Sequence, residues 1–220
     1  MVAAVVFDMD GVLVDSEQVW DDVREQLVAD WGGRYSPEAQ RAMMGMSSHE
    51  WSRYMHDELG LARSPDEIND EVVRRMLDRY RSDLPLIGGA LDAVRGLAST
   101  LPLAVASSSN RPLIDAVLDS AGIAGCFAVT VSSEEVERGK PSPDVYLEAA
   151  RRLGVEPKLC AAVEDSANGI RAARAAGMVV IAFPNLHYPP GADALGLADV
   201  VIDSLDELVG VVRGETLGSG

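Results

Sequence analysis

The feature that most constrains this chain is an alternation: short, β-branched apolar runs separated by longer segments whose apolar residues recur at helical spacing. The runs are Val2–Phe7, Leu103–Ala106, Ala128–Val131, Leu159–Val163, Val179–Phe183 and Val200–Ile202. Runs this short and this apolar predict strands covered on both faces, as in a parallel sheet. Between them, PLIDAVLDSAG (Pro112 to Gly122) and DVYLEAARRLG (Asp144 to Gly154) carry helical periodicity and end at a glycine. The pattern predicts an α/β fold: a doubly wound, mostly parallel, Rossmann-like sheet that binds ligands beyond the carboxyl ends of its strands.

From Ser16 to about Leu86 the alternation stops. The chain reads there as consecutive helices punctuated by WGGRYSP, MGMSSHE and LGLARSP, with no run suited to a central strand. We therefore expect a core formed by residues 1–15 and 88–220 and a small helical cap domain at 16–87. The hinges fall near Val14–Glu17 and Leu84–Gly89. A module inserted directly after the first strand sits above the carboxyl edge of the sheet and can close over a ligand. Residues 214–220, polar and Gly-rich, are expected to form a disordered tail. A length of 220 residues and a mass of 23.4 kDa suit one large domain with such an insertion.

Composition narrows the function. With 19 Lys plus Arg against 35 Asp plus Glu, the net charge of −16 repels polyphosphate backbones and anionic lipid, so no nucleic acid or membrane partner is expected. No stretch approaches the roughly 20 apolar residues of a spanning helix. Cys126 and Cys160 have neither disulfide-framework nor metal-ligand spacing and are expected to be buried packing residues. The opening MVAAVVFDMD lacks the basic start of a signal peptide, so the expected location is cytoplasmic. A monomer is expected, although charge alone does not set oligomeric state.

The chemistry concentrates where the apolar runs stop. The first run ends in Asp8-Met9-Asp10-Gly11, where period-two alternation points both carboxylates to one side. Like charges so close call for a hard cation such as Mg²⁺ or a shared proton, although Asp-Gly is equally a turn signature. The second run leads into Ser107-Ser108-Ser109-Asn110 and a helix with Pro112 in its first turn, which suits a phosphate or a plain serine cap. Gly139-Lys140-Pro141 follows the third run and Glu164-Asp165-Ser166 the fourth. Alone, Lys140 reads as solvated and Asp165 as a helix cap. Together, four strand ends delivering acids, hydroxyls and a lysine to one sheet edge read as a metal and phosphate site.

The strings VVFDMDGVLVDSE, VASSSN, GKPSPDVYLEAARRLGV and VEDSANGIRAARAAGM, in that order, resemble the four motifs of the haloacid dehalogenase-like hydrolases. The helical insertion is similar to the cap of the branch containing β-phosphoglucomutase and phosphoglycolate phosphatase. The resemblance implies that Asp8 is a nucleophile forming an aspartyl-phosphate and Asp10 the general acid and base. It implies that Ser107 binds a phosphoryl oxygen, with backbone N–H groups of Met9, Asp10 and Ser108 completing the cradle. Lys140 would bridge nucleophile and phosphate, and Mg²⁺ would be held by Asp8, Asp165 and the Asp10 carbonyl. Glu164 would be a further ligand or an orienting partner for Lys140, and Asn168 and Gly169 would be structural.

These implications give a Mg²⁺-dependent phosphatase for a small phosphorylated metabolite, with a sugar-phosphate mutase as the alternative and a non-catalytic phosphate-binding module less favoured. A mutase of this branch has a His where Trp20 stands and an Arg where Gly45-Met46-Ser47-Ser48 supplies Ser48, which weakens that alternative. Trp20, Met43, Met44, Met46, His49 and Trp51 are candidates for shaping the pocket, against the plainer reading that Met and Trp at helical spacing are core. Arg41, Arg53 and the cluster Arg74, Arg75, Arg79 and Arg81 read as a solvated face from which one residue could bind an anion.

Overall fold

The computed structural model describes residues 2–44 and 46–215. Six parallel strands form one sheet: β1 (Ala4–Phe7), β2 (Leu103–Ser107), β3 (Val129–Ser132), β4 (Cys160–Glu164), β5 (Val179–Ala182) and β6 (Val200–Val201). Their order is β3-β2-β1-β4-β5-β6, so the chain winds outward in both directions from β1. The expected strands are all present, with ends displaced by one or two residues. Ser107, Ser132 and Glu164 are paired as the last residues of strands, which brings their side chains under the control of the sheet.

Alternation along the strands divides the interior into two layers. Val5, Phe7, Leu103, Val105 and Val163 face one side, and Ala4, Val6, Ala104, Ala106 and Ala162 the other. The helices are α1 (Glu17–Trp31), α2 (Pro37–Met43), α3 (Ser48–Asp57), α4 (Pro65–Ser82), α5 (Ala90–Ala98), α6 (Arg111–Ser120), α7 (Asp144–Leu153), α8 (Ala167–Ala175), α9 (Ala192–Leu195) and α10 (Leu208–Arg213). The alanine-rich face, whose small side chains allow close approach, receives α7 and α8 through Val145, Tyr146, Ala149, Ile170 and Ala173. Val94, Leu97, Ile114, Val117 and Leu208 of α5, α6 and α10 cover the other face. Buried Trp51, Met55, Ile68 and Met76 of α3 and α4 belong to that same apolar cluster, so the inserted helices are continuous with the core of the sheet.

The insertion leaves and rejoins the sheet at one place. Val14 and Leu86 form an antiparallel bridge, Asp15 N–H donates to Pro85 O at 2.8 Å, and Ile87 N–H donates to Leu13 O at 3.0 Å. Cys160 is buried as expected, whereas Cys126 is only half-buried, because it ends a short turn before β3. Gly214, assigned to the tail by its sequence, closes α10 in a left-handed conformation. Glu215 N–H still donates to Gly210 O at 2.9 Å, and 216–220 lie outside the described residues, as does Gly45 of the MGMSSHE string.

Candidate active site

The site lies where β1 and β4 pair, the point at which strand order reverses. Asp8 stays in strand register, its N–H donating to Val163 O at 3.0 Å. The chain then turns sharply, the N–H groups of Val12, Leu13 and Val14 all reaching Met9 O. Gly11 takes φ +76°, and a Cβ there would lie 1.8 Å from Asp165 Oδ2. A Cβ on Gly169 would lie 1.7 Å from Glu164 Oε1. The two glycines therefore let both acids at the end of β4 press against backbone.

Lys140 Nζ donates to Asp8 Oδ1 at 2.8 Å and to Glu164 Oε1 at 2.6 Å. Tyr146 OH donates to the same Glu164 oxygen at 2.7 Å. Glu164 Oε2 accepts from Asp165 N–H, Ser166 N–H and Ser166 Oγ. Both Glu164 oxygens are thus engaged by protein donors. Asp165 does not cap α8: Ser166 does so, accepting from Gly169 N–H, while Asp165 Oδ2 accepts from Asn185 Nδ2 at 3.1 Å.

Asp8, Glu164 and Asp165 each place one carboxylate oxygen within 4.8 Å of the others, all buried. Burial raises the Asp8 carboxyl to about 8 even though Lys140 pulls it down, with Glu164 and Asp10 adding to the rise. Burial, then Glu164 and Asp8, push Asp165 well above the usual carboxylate range. Burial disfavours the Lys140 ammonium, yet Asp8 and Glu164 outweigh it and its pKa is raised. One ammonium facing three buried carboxylates leaves excess negative charge, and an all-oxygen donor set of this kind fits a hard divalent cation.

The Asp10 carboxylate is not part of this three-acid cluster among the described residues and has its own partners. Its Oδ1 accepts from Ser16 Oγ at 2.5 Å and Trp20 Nε1 at 3.1 Å; its Oδ2 accepts from Ser109 Oγ at 2.7 Å and Ser107 Oγ at 3.5 Å. The alternation that governs β1 ends as the chain turns at Met9, so Asp8 and Asp10 share a cavity without sharing partners. Ser108 and Ser109 line that cavity, whereas Ser107 is fully buried and accepts the Ser109 N–H at 3.0 Å.

The opposite wall comes from the inserted helices and the loop joining α2 to α3: Glu17, Trp20, Arg24, Met43, Met44, Met46 and Trp51. Trp20, Met43 and Trp51 are also core residues, so the two readings of them coincide. His49 and Arg53 are exposed, and Arg74, Arg75 and Arg81 pair with Glu71, Asp78 and Asp30 on the solvated face. Arg79 reaches Gln26, and Arg41 lines a neighbouring cavity with Tyr188. Sequence reasoning overlooked Glu17, Arg24, Tyr146 and Asn185. Glu17, Trp20 and Arg24, spaced i, i+3 and i+7, share one face of α1, and an arginine amid buried Val23 and Leu27 was a legible signal. Burial raises Glu17 to about 7, with Asp10 adding to the shift and Arg24 opposing it.

A doubly wound sheet thus gathers a buried aspartate, a lysine and two further acids at its switch point. The family model for haloacid dehalogenase-like hydrolases matches residues 2–177, and the chain belongs to that family, among its phosphomonoester hydrolases. It is 33% identical over 222 residues to hexitol phosphatase B of Escherichia coli strain K12, covering 94% of each chain. It is 35% identical over 208 residues to the bifunctional riboflavin kinase/FMN phosphatase of Arabidopsis thaliana, covering 92% of this chain but only 53% of that protein. The solved structure of CbbY from Rhodobacter sphaeroides with phosphate superposes at a TM-score of 0.83, with 26% identity over 94% of this chain and 96% of that one.

Proposed function

We propose that the protein is a Mg²⁺-dependent phosphatase that hydrolyses a small phosphomonoester, a sugar phosphate or similar metabolite, through an aspartyl-phosphate on Asp8. The observation that carries this is the Lys140 clamp on a buried Asp8 whose carboxylate lines the cavity. In the first step an Asp8 oxygen attacks phosphorus and the ester P–O bond breaks, with Asp10 giving its proton to the departing oxygen. In the second, water attacks the phosphoaspartate while Asp10 takes its proton; phosphate departs and Asp8 is regenerated. Ser16, Trp20 and Ser109 hold the Asp10 carboxylate in place for both transfers.

Lys140, Ser107, Ser108 and the N–H groups of Met9 and Asp10 are the groups we assign to the phosphoryl oxygens. Asp8, Asp165 and the Asp10 carbonyl would hold Mg²⁺, with Glu164 securing Lys140 beside them. The ion, when bound, neutralises charge on the phosphoryl group. The helices at 16–87 serve as a cap whose closure limits access of water. Two cysteines free of any disulfide accord with a cytoplasmic setting.

Asp8→Asn is the direct test: turnover of p-nitrophenyl phosphate in Mg²⁺ should fall by about 10³-fold or more. A normal rate would overturn the assignment of the nucleophile. Phosphorus NMR with a hexose 1-phosphate separates hydrolysis from isomerisation, since stoichiometric free phosphate is expected and a rearranged sugar phosphate without it would mark a mutase.

A further inference from the structure

Arg24 is 4% exposed, yet it is among the residues lining the cavity that holds Asp8 and Asp10. It lies over the rings of Trp20 and Trp51, 4.6 Å and 5.2 Å from their centroids. Among the described residues its hydrogen-bond partner is Gln40 Oε1, at 3.2 Å, and its buried Nε has none. Gln40 turns its other end to Glu17, Nε2 donating to Glu17 Oε2 at 3.3 Å, and its oxygen also accepts from Tyr35 OH at 3.2 Å. One amide thus fixes a cationic donor and a carboxyl acceptor side by side on the wall facing Asp8 and Asp10. Burying a guanidinium without an ion-pair partner is costly unless a ligand completes its hydrogen bonds.

We propose that Arg24 is the residue that selects the substrate, donating hydrogen bonds to hydroxyls of a neutral, polyhydroxylated leaving group, a sugar or polyol, packed against Trp20 and Trp51. The inference rests on the phosphatase reading and names the class of substrate within it. An anionic leaving group would meet Glu17 on this wall and Asp10 across from it. A hydroxyl can accept from Arg24 while donating to Glu17, so the paired wall suits neutral hydroxyls. The indole faces suit the C–H surface of such a molecule and exclude water around it.

The test compares wild type with Arg24→Met, which keeps the length of the side chain between the indoles, and Arg24→Lys, which keeps its charge but not its fork. Two quantities are read. One is the ratio of kcat/KM for sorbitol 6-phosphate to kcat/KM for p-nitrophenyl phosphate. The other is the affinity for sorbitol 6-phosphate in the Asp8→Asn background, followed by tryptophan fluorescence. Arg24→Met should lower both by about tenfold or more, and Arg24→Lys by about threefold or more, mainly through KM.

An unchanged ratio with wild-type turnover intact overturns the proposal and leaves the phosphatase reading standing. A fall confined to phosphoglycolate, measured in parallel, overturns it in favour of an anionic leaving group. Absence of turnover in wild type, with fluorescence affinity still lost on Arg24→Met, sinks the phosphatase reading instead and supports the binding assignment. If Arg24→Met shows no cooperative melt, Arg24→Lys decides: unaltered selectivity and affinity in that variant overturn the proposal.

Discussion

At the scale of single residues, the acidic cluster is set by atoms that are missing as much as by those present. A methyl at Gly11 would collide with Asp165 and would also sit at φ +76°. Gly11→Ala should therefore cost about 100-fold or more in kcat/KM and weaken Mg²⁺ binding in calorimetry. Tyr146→Phe removes one donor from Glu164 and leaves the Lys140 contact. It should lower stability by about 1–2 kcal/mol in urea titration. Glu17, raised from 4.5 to about 7, binds its proton more tightly when folded than unfolded. Its contribution is full below about pH 4.5 and is lost as pH rises to about 7, worth about 1–3 kcal/mol, so Glu17→Gln should flatten that part of the stability profile. Asp8, Lys140 and Asp165 were legible in the sequence because each follows an apolar run and the sheet delivers such residues to one edge. Tyr146 and Asn185 were not, because one is selected by packing under α7 and the other by a loop returning from β5.

Between elements, the inserted helices meet the sheet through a polar contact and a paired crossing. Asn110, at the start of α6, donates to Asn69 of α4 at 3.0 Å and to Glu134, just past β3, at 2.7 Å; Ser48 of α3 donates to Glu134 at 3.2 Å. Glu134→Ala removes the acceptor shared by the two halves. It should raise KM by about threefold or more and speed amide exchange in the first turn of α3. All six strands were legible because β-branched runs between glycine-terminated helices admit few other readings. Their exact ends were not, since Ser107 and Glu164 are polar residues that the ladder extends to include. The direction of Asp10 was lost for a related reason: where a strand becomes a turn, alternation ceases to predict which way a side chain faces.

For the molecule as a whole, a net charge of −16 and a buried cluster with more carboxylates than ammoniums both favour a bound divalent cation. Mg²⁺ at about 100 times its Kd should stabilise the fold by about 2.7 kcal/mol and raise Tm by several degrees in calorimetry, an effect that Asp165→Asn should abolish. The crossing at Val14 and Leu86 has an evolutionary corollary. Departure and return occupy neighbouring backbone, so the excursion begins and ends at one clasp. A replacement for the excursion would therefore have to fit that clasp together with the Asn110 and Glu134 contacts and the shared apolar layer.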